Sequence, residues 1–172
     1  MRSLPPQTKN PRYGFVKCLQ TLIYCPYIHS SEPNGYQLGS LRKKDVPFIS
    51  KLWEYSRDET TVKRLNSLIE NSITAGWYKE DDLVSWVFVM EYGGMGLLNT
   101  LPAHRNKGLA KSLIYHVSQK LLADGRIPYC FIVKDNEVSQ KLFSKMGFQY
   151  FMQFSVAFFV IKSKANNQPN KM

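Results

Sequence analysis

The stretch Thr100-Leu-Pro-Ala-His-Arg-Asn-Lys-Gly-Leu-Ala110 constrains this chain more than any other. An apolar run, Met95 to Leu98, precedes it. A segment with apolar residues at helical spacing, Leu109 to Leu122, follows it. The chain must therefore pass from a strand through a glycine-bearing turn into a helix. The first N–H groups of a helix have no partner within it, and the aligned peptide dipoles add partial positive charge there. Gly108 has no Cβ, so a guest can come close to the backbone. Arg105, Lys107 and Lys111 add formal charge. Such a turn suits a phosphate or pyrophosphate. The spacing is neither Gly-x-x-x-x-Gly-Lys-Ser/Thr nor Gly-x-Gly-x-x-Gly, so it is not a P-loop or a dinucleotide fingerprint.

With 172 residues, 44% hydrophobic and 13% aromatic, the chain can bury the core of one domain. No apolar run reaches the length of a membrane span, and no membrane partner is expected. Cys18, Cys25 and Cys130 form no close pair, which speaks against a disulfide framework or a metal site and for a reducing compartment. The net charge of +10 is concentrated at the ends. Residues 1–34 hold four basic residues against one acid, and 162–172 hold three lysines and no acid. The remaining 16 basic and 12 acidic residues leave +4 for the body, which fits a polyanionic small molecule. No recognised nucleic-acid motif is present, so nucleic acid is not the expected partner.

The organisation reads as an irregular basic segment, 1–34, a folded domain, 35–161, and a disordered basic tail, 162–172. Pro5, Pro6, Pro11 and Pro26 punctuate the first part. The body alternates elements. A short strand spans Tyr36–Leu41, and a helix starting at Asp45 carries Pro47 in its first turn. A second helix runs from Thr60 to Asn71. Strands follow at Ala75–Tyr78, Leu83–Glu91 and Met95–Leu101, with a hairpin turn at Gly93-Gly94. After the helix at Leu109–Leu122 come a strand at Tyr129–Val133 and a helix from Glu137 to Met146 that stops at Gly147. One or two strands fill Gln149–Ile161.

Arg105-x-x-Gly108-x-Ala110 resembles the Arg/Gln-x-x-Gly-x-Gly/Ala motif of the GNAT acyltransferases. Asn136-Glu-Val-Ser139-Gln-Lys-Leu-Phe143-Ser-Lys-Met-Gly147-Phe148 resembles that superfamily's closing motif, Asn-x-x-Ala-x-x-Leu-Tyr-x-x-x-Gly-Phe. The element order is also similar. The resemblance implies an α/β (α+β) fold with a mixed, mostly antiparallel central sheet, a splayed strand pair and about four helices. Within the superfamily, Gly35-Tyr-Gln-Leu-Gly-Ser-Leu41, Leu52-Trp-Glu-Tyr55, Leu83-Val-Ser-Trp86 and Thr100-Leu-Pro102 look like the glycine N-acyltransferase family over roughly residues 35–150. That family carries a further GNAT-like half before this part, so the chain reads as a short relative or a truncated product. The resemblance and the lack of acids among the first 31 residues suggest a mitochondrial location, with a cytoplasmic one as the alternative.

The implied reaction is attack of an amine on acyl-CoA, the expected co-substrate, with no metal. The resemblance places coenzyme A on Arg105, Asn106, Lys107, Gly108, Leu109 and Ala110, and the pantetheine arm near Asn136 and Phe143. Main-chain groups beside Thr100 and Leu101 would bind the thioester carbonyl. Asn136 also suits a helix N-cap. Two positions depart from the family. The closing-motif tyrosine, which protonates the leaving thiolate, is Phe143; Tyr150 or Tyr115 are the possible substitutes. The family's glutamate base falls on Gly94. Glu91, three residues away, is the candidate base, directly or through water, and a solvated hairpin charge is its other reading. His104 reads as surface decoration with a base role as the alternative; His116 reads as structural, and His29 is uninformative. Trp53 and Tyr55 are candidates for an acceptor pocket, with Arg57 as a possible partner for an acceptor carboxylate.

Three functions follow. The first is an acyl-CoA-dependent N-acyltransferase acting on glycine or a similar small amine. The second is a GNAT acetyltransferase for an arylalkylamine or a protein amino group. The third is an acyl-CoA-binding module without catalysis.

Overall fold

The computed structural model describes residues 13–24, 33–53 and 59–161, with 13–24 and 152–161 given by backbone alone. Its strands are β1 (Tyr13–Tyr24), β2 (Gln37–Gly39), β3 (Thr74–Lys79), β4 (Asp82–Val89), β5 (Met95–Thr100), β6 (Tyr129–Val133) and β7 (Phe148–Ile161). Its helices are α1 (Val46–Leu52), α2 (Glu59–Asn71), α3 (Leu109–Ala123) and α4 (Glu137–Lys145). One sheet orders the strands β2-β3-β4-β5-β6-β1-β7. Every neighbouring pair is antiparallel except β5 and β6.

The segment 1–34, expected to be irregular, contributes β1. That strand lies between β6 and β7, pairing Leu19 with Val133 on one side and Cys18 with Ala157 on the other. The sheet therefore begins at Tyr13 rather than near residue 35. The sequence Tyr-Gly-Phe-Val-Lys-Cys-Leu-Gln-Thr-Leu-Ile-Tyr is rich in residues that suit a pleated surface. Lys17 and Gln20 break its apolar run, and the flanking prolines made it read as loop. The second C-terminal strand left open by the sequence is absent among the described residues: β7 is continuous, and β1 takes the inner place beside it. The tail 162–172 and residues 1–12 lie outside the described residues.

The sheet is covered on both faces. Leu109, Leu113, Ile114, Val117 and Leu121 of α3 join Ala75, Trp77, Val84 and Met95 in one core. Val46 and Ile49 of α1 and Leu65 and Leu68 of α2 join Trp86 and Phe88 in the other. Each of these aliphatic side chains contributes roughly 1.5–3 kcal/mol through burial. β4 is buried from Leu83 to Val89; Ser85 is the polar residue within that stretch, and its hydroxyl donates to Asn99 O at 2.9 Å.

A polar staple closes the second core. Asp45, 6% exposed, accepts hydrogen bonds from the Tyr78 hydroxyl at 2.6 Å and from the Arg42 amide at 2.8 Å. The Arg42 guanidinium covers the Tyr78 ring at 4.1 Å and reaches Asp81. Together they tie the start of α1 to β3 and to the β3–β4 turn. Burial, then the bond to Asp45, pushes the Tyr78 phenol above its ordinary range. A phenol raised in the folded state supports folding below the unfolded value, about 10, and that support is lost as pH rises beyond it.

Replacing Tyr78 by Phe leaves the buried Asp45 short of a donor. We expect a loss of roughly 1–2 kcal/mol in urea unfolding at neutral pH. The decline in stability above about pH 10 should become shallower in the same variant.

Candidate active site

The parallel strands β5 and β6 register at a single pair, Met95 with Cys130, and diverge beyond it. The gap is a cleft of about 430 Å³. Met95 to Asn99 form one wall and Cys130 to Val133 the other, with Asn136, Ser139 and Phe143 at one side and Ile49, Leu52 and Trp53 at the other. The sheet is thus open where two layers of helix meet it.

β5 also carries a bulge. Trp86 pairs with Asn99 and Phe88 with Gly96, so the bulged strand has one residue more than its partner. Leu97 adopts φ +54°, a conformation rare for a branched side chain. The Leu97–Leu98 peptide lies outside the β4 ladder and lines the cleft. Gly96, an isolated glycine within the strand, is its sequence signal, and the positive φ locates it at Leu97.

The bulge corrects the expected carbonyl-binding groups. The Leu101 amide donates to Val84 O at 2.9 Å, and the Thr100 amide to Asn99 Oδ1 at 2.9 Å. The Thr100 hydroxyl meets Ser85 Oγ at 2.7 Å. These groups are engaged within the sheet, whereas Leu97 and Leu98 line the cleft.

Directly beyond β5, the loop turns through Asn106 (φ +62°) and Gly108 (φ +80°) into α3. No side chain caps that helix, and its first intrahelical bond runs from Ser112 N–H to Gly108 O at 3.0 Å. The amides of Leu109 and Ala110 are therefore left for a guest. A Cβ at Gly108 would meet open space. Arg105 donates from Nε to Thr100 O at 3.1 Å, and Lys107 lies 6.0 Å from the Tyr36 ring. The Tyr36 hydroxyl and His104 Nδ1 are 3.1 Å apart. Tyr36 thus braces the loop, a role the sequence did not suggest, and His104 is engaged there rather than in the cleft.

Asn136 caps α4, its Oδ1 accepting from the Ser139 amide at 3.1 Å, and it lines the cleft as well. Phe143 is 4% exposed, packs edge-on against Phe148 at 4.9 Å, and presents the cleft with an apolar surface. Of the two substitute acids, the Tyr150 hydroxyl donates to Gln140 Oε1 at 3.3 Å, and Tyr115 packs against the α3 core. Neither lines the cleft. Cys130 does, and burial pushes its thiol well above the usual range.

Glu91 does not occupy the place expected of a base. The Arg64 guanidinium binds both its oxygens, at 2.6 and 2.8 Å, and holds its carboxyl below the usual range. A carboxylate so paired is a poorer proton acceptor, and Glu91 is not among the cleft-lining residues. Its lowered value means that the pair supports folding at neutral pH and loses that support as pH falls through the folded value. Gly94 has its own reason: a Cβ there would lie 2.7 Å from Tyr129 Cε2 and 3.0 Å from Tyr92 Cε2. The Tyr129 hydroxyl donates to Tyr92 O, fixing the ring that excludes a side chain. Trp53, at the end of α1, lines the cleft. Tyr55, Arg57 and His29 lie outside the described residues.

Comparison with known proteins agrees with this geometry. Residues 74–155 match the family model described as FR47-like protein. The chain is 26% identical over 103 residues to human glycine N-acyltransferase-like protein 2, covering 59% of this chain and 35% of that protein. It is 28% identical over 108 residues to glycine N-acyltransferase of Pongo abelii, covering 62% and 36%. The matches thus span about a third of these relatives. A putative GNAT-family acetyltransferase of Novosphingobium aromaticivorans superposes with a TM-score of 0.63 at 21% identity, covering 85% of this chain and 66% of that one. A predicted acetyltransferase of Clostridium acetobutylicum, solved with acetyl-CoA, gives 0.57 at 12% identity, covering 69% and 93%. The fold is that of the GNAT proteins.

Two substitutions test the corrected residues. Glu91→Gln should change kcat at saturating amine by less than about twofold, with the pH–rate profile unmoved. Gly94→Ala should lower stability by roughly 1–3 kcal/mol in chemical unfolding, because the ring of Tyr129 must shift.

Proposed function

We propose that this chain transfers an acyl group from an acyl-CoA to an amino group, with glycine or a similar small amine as the leading acceptor; the match of residues 74–155 to the FR47-like family model and the GNAT fold support the reading. The observation that carries the reading is the cleft between β5 and β6. Its wall includes the bulged residues of β5, and the loop that follows β5 in the chain leads to the uncapped start of α3.

Each part has a task. The amides at the start of α3, with Lys107 and Arg105 beside them, receive the pyrophosphate. The splay admits the pantetheine arm between the strands, along Asn136 and Phe143. The Leu97–Leu98 peptide receives the thioester carbonyl as negative charge grows on its oxygen. The amine attacks from the Trp53 side, the adduct's nitrogen gives its extra proton to water, the C–S bond breaks as the carbonyl re-forms, and the thiolate leaves. Phe143 offers that thiolate no proton. A thiol of pKa about 8.5 is a good enough leaving group to depart unassisted. Only the unprotonated amine attacks. The Cys130 thiol, raised by burial, does not accept its proton at neutral pH. The free-amine fraction of the acceptor therefore sets the supply of nucleophile.

The kinship with glycine N-acyltransferases supports the choice of acceptor. Phe143 and Gly94, which stand where that family has acid and base, favour the second reading, an acyl-CoA-binding module without turnover.

The test is thiol release from acetyl-CoA and benzoyl-CoA with glycine and a panel of other amines. Glycine-dependent release establishes the reading; release with another amine alone moves the acceptor; binding without any release establishes the module. Gly108→Val should weaken acyl-CoA binding by tenfold or more in titration calorimetry, since the αL backbone is strained and the added atoms enter the guest's space. An unchanged affinity would remove the loop from the site.

A further inference from the structure

The Arg64–Glu91 pair has no task in the chemistry above, yet it stands beside the cleft. Arg64 lies midway along α2, and its guanidinium carbon is 6.0 Å from the ring centroid of Trp53. Trp53 itself lines the cleft, on the side that Ile49 and Leu52 also form. That side is otherwise apolar there, and Leu52 is 45% exposed, so it opens to solvent. A guanidinium placed over an aromatic wall, at the open edge of an apolar cleft, is a device for orienting an anion.

The geometry of the pair leaves the device usable. Glu91 takes Nε and one hydrogen of Nη2. The guanidinium is planar, with its donors in a fixed fork, so the Nη1 edge points away from Glu91. Glu91 approaches from the β4–β5 hairpin, and Trp53 from the end of α1. The guanidinium thus has a neighbour on each of two elements outside α2. Arg64 remains 43% exposed at the side chain, within reach of a solute.

We propose that Arg64 is the residue that selects the acceptor, binding the carboxylate of an amino-acid amine through its Nη1 edge while Glu91 keeps the guanidinium oriented. The inference rests on the N-acyltransferase reading and narrows it: the acceptor is an amine that carries a carboxylate, not a neutral amine. The carboxylate anchors at Arg64, the aliphatic part lies along Trp53, and the amino group points inward toward the bulge of β5. No covalent step involves Arg64; it is a positioning residue.

The test compares glycine with glycinamide, the same amine without the negative charge, using thiol release from one acyl-CoA. In the unaltered chain kcat/KM should favour glycine at equal concentrations of free amine. In Arg64→Gln the ratio of the two kcat/KM values should fall by roughly tenfold, the scale of one solvent-exposed charge-assisted bond. The loss should lie in KM for glycine. Arg64→Lys, which keeps the charge but not the fork, should lower the ratio by about threefold, and it decides the matter if Arg64→Gln does not fold. A merely structural arginine would depress both acceptors alike and leave the ratio unmoved; that result overturns the proposal. A preference for glycinamide in the unaltered chain also overturns it. Absence of turnover with either amine overturns the N-acyltransferase reading itself, and the selection with it, whereas turnover with an unmoved ratio removes only Arg64.

Discussion

The pairing of Met95 with Cys130 is the point from which the rest of the molecule is arranged. Two parallel strands that met along their whole length would make a continuous, sealed sheet. Held at one residue pair, they make a wedge. Everything attributed to the site is placed by that wedge. The loop that begins where β5 ends lies at its open end, and α4 flanks it from the side of β6. The Cys130 and Met95 side chains, both 1% exposed, form an apolar floor that binds nothing charged.

The two faces of the sheet then divide the work. α3 and α4 cover one face and provide helix starts: an uncapped one, open to an anion, and one capped by Asn136. α1 and α2 cover the other and present aromatic and cationic side chains, Trp53 and Arg64. A ligand with an anionic end, a thin linear arm and a reactive carbonyl fits the first face and the gap. Under the proposed function, the second face is where the amine would bind. Neither face alone holds both, and only the splay lets them meet.

Much of this was legible in the sequence, and the part that was not has a common cause. The helices announced themselves through periodicity, and the turn at Gly108 through its left-handed glycine between a strand and a helix. The long strand expected at Leu83–Glu91 is β4, Asp82–Val89. What escaped depends on residues far apart. The bulge at Leu97 appears in the register between β4 and β5; Gly96 hints at it but does not say which residue is displaced. Glu91 lay near the expected position of a base, but its partner Arg64 is on a helix twenty-seven positions earlier, and that partner changes its chemistry. Gly94 could be aligned with a lost glutamate; only the ring of Tyr129 across the hairpin explains why nothing larger stands there. β1 was hidden for the same reason: its partners lie at the other end of the chain.

That last arrangement has a consequence for how the molecule assembles. β1 precedes the other described strands in the chain, yet it pairs Leu19 with Val133 and Cys18 with Ala157, contacts of long sequence separation. Closing such loops is slow, because the chain entropy must be given up before the contacts form. β2 to β5 pair with near neighbours and can settle early. β6 is joined to them at one residue pair and has its long ladder with β1. The far wall of the cleft is therefore expected to be the last part of the sheet to order. Until then β1 and β7 present unpaired edges, which makes this the stage of folding most exposed to intermolecular pairing.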